Sequence, residues 1–179
     1  AATVAAMIEA TARILETGGP EALSTNAVAE RAGVSIGSLY QYFPNKIALL
    51  VGLVRSERRS LLVRLTHLAE NPPDRLDGVV AELVRAAVTH QFERPALART
   101  LDYLEPGLPL DAETAALTQE LIDLVARLIA VHGVANAHVA ARDLVALTKG
   151  MVDAAGLAGE TDRAAVEARI VRAVAGYLG

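Results

Sequence analysis

Side chains able to bind a metal or move protons are few in this chain, and their spacing suits neither task. None of the four histidines, His67, His90, His132 and His138, lies three or four residues from another, the spacing that puts two ligands on one helix face. The chain has no cysteine. That excludes disulfides, thiolate zinc sites, iron–sulfur clusters and a cysteine nucleophile. Asp102 and Glu105 flank Tyr103 and come nearest to a carboxylate pair. Pro106, Gly107 and Pro109 follow directly, however, and predict a solvated loop. No glycine-rich phosphate loop, nucleophile elbow or metalloprotease motif occurs. These residues predict no enzyme, no metal and no cofactor.

The informative stretch is Ser24 to Leu50, STNAVAERAGVSIGSLYQYFPNKIALL. Two short helices joined by Gly33-Val34-Ser35 make a helix-turn-helix, with Gly33 suited to the left-handed backbone of a tight turn. Ser24 or Thr25 is a cap for the first helix, and Ser35 is a cap for the second. Val28, Ala29, Ala32, Val34, Leu39 and Phe43 form a small core with Ile8, Ala12 and Leu15. The second helix then exposes Ser35, Gly37, Ser38, Gln41 and parts of Tyr40 and Tyr42, and it carries no charge at all. An ordinary surface helix is charged. A short uncharged one with small hydrogen-bonding residues suits the major groove of DNA. Tyr40, Tyr42 and Lys46 flank it within reach of phosphates.

The elements that position this stretch are all helical. Apolar residues make up 53% of the 179 residues and aromatics only 3%, a balance that favours helix over strand. Helical periodicity predicts a first helix over residues 3–17, ended by Gly18-Gly19-Pro20. Helices over 25–32 and 36–43 follow, then a long one over 46–70 that stops at Asn71-Pro72-Pro73. Arg58 and Arg59 interrupt its apolar stripe, with Arg55 one turn before. Further helices are expected over 75–92, up to Leu104, 112–132, up to Leu157 with Asn136 as its cap, and 162–178. The prediction is an all-α chain of about nine helices. Residues 1–46 form the helix-turn-helix head and 47–179 the body. Helix four, 46–70, connects them without a flexible linker, and the mechanical boundary falls inside it near Ser56.

Charge is unevenly spread. The net charge is −4, yet residues 1–60 hold six basic against five acidic side chains, and the remainder holds eleven against sixteen. An acidic body with a less acidic head is compatible with a local DNA-binding surface. The charge-free run Leu128 to Ala141 is too short and too polar to span a bilayer. No membrane association is expected. Nothing at the N-terminus resembles a secretory signal, so a cytoplasmic location is expected.

From about residue 3 to 52, and most specifically in AERAGVS and LYQYFPNK, the chain resembles the DNA-binding domain of the tetracycline-repressor (TetR) family of bacterial regulators. Beyond residue 55 the resemblance is one of layout. It implies a recognition helix over Ser35 to Phe43, with Ser35, Gly37, Ser38 and Gln41 facing base edges. It also implies phosphate contacts from Thr25, Tyr42 and Lys46, with Tyr40 close to the groove wall. Members carry a basic arm before the first helix, which here would lie upstream of Ala1. The family reading makes the protein a homodimer on a near-palindromic double-stranded operator, most simply a repressor released by a small-molecule effector.

For the body, two sets of positions are expected. Dimer contacts would come from the last two helices, through Ala140, Leu144, Leu147, Met151, Val152, Val166, Ile170 and Val174. The alternative for these residues is one buried stripe per helix facing its own core. An effector pocket would draw on the polar and aromatic residues His90, Gln91, Phe92, Tyr103 and Thr148. A second functional reading keeps the DNA-binding dimer but gives the body a protein partner in place of a small molecule.

Overall fold

The computed structural model describes residues 2–179, and Ala1 lies outside the described residues. The chain groups into two compact units. One comprises Ala1–Arg58 with Ala96–Thr114, and the other Arg59–Pro95 with Ala115–Gly179. Among the described residues there are nine α-helices and no strand: α1 Ala2–Gly18, α2 Thr25–Ala32, α3 Ile36–Tyr42, α4 Lys46–Glu70, α5 Leu76–Glu93, α6 Pro95–Leu104, α7 Ala112–Ala130, α8 Ala137–Leu157 and α9 Arg163–Leu178. Short 3-10 turns occupy Pro20–Ala22 and Glu105–Gly107.

Helix ends follow local chemistry. Gly19 (φ 67°) and Pro20 stop α1. Asn45 accepts from the Ala48 amide at 2.9 Å and caps α4, while Asp162 accepts from Ala165 at 3.0 Å and caps α9. Asn136 does not act as expected. It sits in the left-handed region (φ 48°) and its side chain makes no cap bond to α8.

The first unit is built around Met7, Leu15, Val28, Leu39, Leu49, Leu53 and Leu97, all essentially without exposure. The expected core residues Ala12, Leu15, Val28, Ala29, Leu39 and Phe43 are buried there; Ile8, Ala32 and Val34 are half-buried around it. Sequence order gave no sign that α6 belongs to this core through Leu97 and Leu101, although it follows α5 in the chain. The compact unit holding the head is therefore larger than residues 1–46. It runs along α4 to Arg58, close to the expected mechanical boundary near Ser56, and it recruits residues 96–114.

In the second unit α5 packs on α8 and α9, which also pack on each other. This geometry corrects the expected dimer positions. Ala140, Leu144, Val152, Val166, Ile170 and Val174 are buried in the unit's own core. A side chain with almost no accessible surface has none to offer a second subunit. Of the expected set, only Leu147 and Met151 remain partly exposed. The single-stripe alternative describes the other six.

Within the first unit, α4 passes so close to α1 and the end of α3 that a Cβ on Gly52 would lie 2.9 Å from the Phe43 ring and 3.0 Å from the Ile8 Cδ1. Gly52→Ala is expected to overpack this contact and destabilise the protein by about 1–3 kcal/mol, read as a lowered urea midpoint. An unchanged midpoint would mean that the Phe43 ring moves aside freely.

Candidate nucleic-acid interface

The interface is set by how α2 and α3 are capped and joined. Ser24 caps α2 by accepting from the Ala27 amide at 3.1 Å. Capping by Ser24 frees Thr25, whose hydroxyl lies 3.2 Å from the Tyr40 hydroxyl and ties the start of α2 to α3. Gly33 ends α2 in the left-handed region (φ 67°, ψ 33°), where its amide and that of Val34 close the last turn on Glu30 and Ala29. A β-carbon at Gly33 would be strained by that backbone, whatever the space around it. Ser35 then caps α3: its Oγ accepts from the Ser38 amide at 3.0 Å and lies 2.8 Å from the Ser38 Oγ.

Leu39 and Phe43 anchor α3 inward, one fully buried and the other nearly so. Everything else on the helix faces out or sits at its edge. Gly37 and Gln41 are exposed, Ser38 is half-buried, and Tyr40 and Tyr42 are 50% and 53% exposed. Lys46 is exposed on the first turn of α4, where the free amides of a helix N-terminus also favour a phosphate. Seven of the eight positions expected to meet DNA thus lie on or beside α3, and Thr25 reaches the same surface through Tyr40. Ile36, at 38% exposure, is an outward residue that the sequence reading did not name. Its signal was available, since it is the only aliphatic residue on the helix besides the buried Leu39.

A second polar cluster lies in the same unit. Asp111 caps α7, accepting at one oxygen from the Thr114 amide (2.9 Å) and hydroxyl (2.7 Å). Arg55 of α4 pairs with Asp111 and, at 3.0 Å, with Glu113. Arg58 donates to the Thr114 carbonyl at 3.0 Å and pairs with Glu105 at 2.5 Å. Arg55 and Arg58 therefore hold the start of α7 and the Glu105–Gly107 turn. Glu105 is a half-buried ion-pair partner, not the solvated loop residue the prolines predicted. The Thr114 hydroxyl and the Arg55 guanidinium hold the Asp111 carboxyl below the usual carboxylate range.

The residues expected in an effector pocket separate. Tyr103 belongs to the first unit and is 80% exposed, so it lines no enclosed pocket. The other four lie in the second unit. Phe92 is buried in the core, with the Arg163 guanidinium 5.9 Å from its ring centre and bonded to its carbonyl at 2.6 Å. His90, Gln91 and Thr148 are half-buried. Gly156 of α8 admits the Gln91 amide, which a Cβ there would meet at 3.2 Å. Burial first, and then the nearby Arg64 guanidinium, push the His90 imidazole below its ordinary value against the pull of Glu93. Among the described residues no group of acidic and histidine side chains could hold a metal ion, and no helix is long and apolar enough to cross a membrane.

Comparison with known proteins agrees with this geometry. The family profile described as bacterial regulatory proteins, tetR family, matches residues 7–53, and that of the tetracyclin repressor-like C-terminal domain matches residues 76–178. The chain belongs to this family, whose members are DNA-binding transcriptional regulators and not enzymes. It is similar to the HTH-type transcriptional repressor KstR of Rhodococcus jostii, with 34% identity over 124 residues, covering 69% of this chain and 56% of that protein. The chain spans about half the length of the curated relatives it matches. The fold is shared with the regulator FadR of Bacillus subtilis, solved in complex with stearoyl-CoA (TM-score 0.77, 14% identity, 95% of this chain and 96% of that one). It is shared also with a TetR transcriptional regulator from Rhodococcus sp. RHA1 (TM-score 0.71, 22% identity, 99% and 95%).

Two outcomes are expected. A Cβ at Gly37 would touch nothing closer than the Ser35 Oγ at 3.9 Å. Gly37→Ala should therefore stabilise the fold by about 0.5–1 kcal/mol while weakening DNA binding, because the added methyl stands on the surface expected to meet DNA. Thermal melting and a DNA titration on one preparation test the split, and stronger DNA binding would remove Gly37 from the interface. For His90, the unfolded chain takes up a proton below about pH 6.5 that the folded chain resists. Stability is then fully present above that pH and falls as pH drops toward the lower folded value. Urea midpoints between pH 7.5 and 5.5 should fall for the native chain and fall less steeply for His90→Gln; parallel slopes would clear His90 of the effect.

Proposed function

We propose that the protein is a ligand-responsive repressor that binds a palindromic operator as a homodimer and leaves it when a small molecule occupies the body. One observation carries the reading: α3 is held from below by Leu39 and Phe43 and turns an uncharged surface of glycine, serine, glutamine and tyrosine outward. Ser35, Gly37, Ser38 and Gln41 face base edges, Tyr40 lies at the groove wall, and Thr25, Tyr42 and Lys46 meet phosphates. Residues 1–46 act as the DNA-binding head and 47–179 as the regulatory body, coupled through α4. Likeness to the repressor KstR supports the direction of control.

The dimer forms through the outward faces of α8 and α9. Leu147 and Met151 are partly exposed there, beside the exposed Ala146, Gly150 and Ala154, whose small side chains allow close helix approach. The effector binds in the second unit near His90, Gln91 and Thr148. The core around them is aliphatic except for Phe92, and a shared fold with a regulator solved with stearoyl-CoA agrees with an effector that has an apolar portion.

In-vitro selection of genomic fragments by the purified protein tests the proposal. A palindrome whose half-site centres lie one helical turn apart, about 34–36 Å, or a small multiple of that, is the expected product. Effector and operator must then weaken each other by one common factor. Operator affinity that no small molecule alters but a protein partner does would move control to that partner.

A further inference from the structure

We infer that α3 reads A·T base pairs, with the Gln41 amide on an adenine edge and the Ile36 side chain against a thymine methyl, and that it lacks the arginine or lysine that most often reads guanine. The inference rests on the proposed binding of this helix in the major groove and adds which bases it selects.

The hydrogen bonds inside the helix-turn-helix restrict how its hydroxyls can turn toward DNA, without consuming all their donors and acceptors. The Ser35 and Ser38 hydroxyls lie 2.8 Å apart, and Ser35 also caps the helix. The Tyr40 hydroxyl is bonded to Thr25 at 3.2 Å. Gln41 is the one side-chain amide on α3, exposed on the outer face one turn after Gly37, where the missing side chain clears its approach. A side-chain amide offers one donor and one acceptor at the spacing of adenine N6 and N7. Guanine is read most often by arginine or lysine on O6 and N7, and α3 contains neither. The nearest cations in sequence are Arg31, on the last turn of α2, and Lys46, at the start of α4.

Ile36 supplies the second reader. It is the first residue of α3, the end of a recognition helix that lies deepest in the groove. Ile36, Tyr40, Tyr42 and Ile47 are large apolar residues exposed within a single stretch of the helix-turn-helix, and such a concentration marks a surface meant to be covered. An aliphatic side chain has no use for the donors and acceptors on the groove floor. The thymine C5-methyl is the apolar group presented there.

The test uses the operator recovered by selection and the full chain. Each thymine is replaced singly by deoxyuridine, which removes only the methyl, and each adenine by 7-deazaadenine, which removes only the N7 acceptor. Binding is read by fluorescence anisotropy. One thymine per half-site should lose about fourfold in affinity as uridine, the worth of one buried methyl-sized group. Ile36→Ala should bind the two forms equally. One adenine per half-site should lose about fivefold or more as the deaza base, and Gln41→Ala should abolish that difference. Because the modified DNA leaves the protein untouched, a misfolded variant cannot produce the native chain's result. The inference is overturned if uridine and 7-deazaadenine bind like the natural bases throughout, or if the two variants relax selection at G·C pairs. A selection that enriches no sequence overturns both the regulator reading and this inference.

Discussion

Helix α4 is the constraint on which the rest of the molecule depends. It is one helix of 25 residues that belongs to both compact units. Its first half supplies Leu49, Leu50, Leu53 and Val54 to the core beneath the helix-turn-helix, and its second half supplies Leu65 to the core of the body. Neither core is complete without it. The unit division falls at Arg58, the residue that stops contributing apolar surface and grips the start of α7 instead.

Inside the first unit, two kinds of interaction act on the same helix. The apolar half of α4 is packed so closely that Gly52 leaves no room for a methyl against Phe43 and Ile8. One turn further on, the terminal nitrogens of Arg55 pair with Asp111 and Glu113, and those of Arg58 with Glu105 and the Thr114 carbonyl. These arginines are half-buried, and a charge partly withdrawn from water gains from a partner. The pairing commits the α6–α7 junction to the head's own unit. The first half of α4 and the polar cluster belong to one compact unit.

The helix-turn-helix shows how α3 is held by its inner face and its ends alone. Leu39 and Phe43 supply the anchoring, the caps Ser24 and Ser35 close the helix ends, and the Thr25–Tyr40 bond braces α2 against α3. With folding needs met from below and at the ends, the outer face can carry Gly37, which costs helix stability, and Ile36, which costs solvation. Both choices make sense only for a surface that another molecule covers.

Much of this was legible in the residues. The turn chemistry of Gly33, Gly19-Pro20 and Asn71-Pro72-Pro73, together with helical periodicity, determined the nine helices to within a residue or two, because caps and breakers act locally. The outward, uncharged face of α3 was legible for the same reason: it is one short helix read at one period. Long-range pairing was beyond that kind of reading. Periodicity says that a helix has an apolar stripe but not what the stripe meets. The stripes of α8 and α9, expected in part to meet a second subunit, are closed by α5 and by each other. Tyr103, expected in a pocket, points to solvent, because α6 packs through Leu97 and Leu101 on the head. Glu105, expected in water, meets Arg58 from 47 residues away in sequence. The sequence by itself determined the helices and the uncharged outer face of α3, whose causes lie within a few residues of each position. Only the tertiary structure decided which apolar faces and which charges are paired, since those partners are brought together by packing.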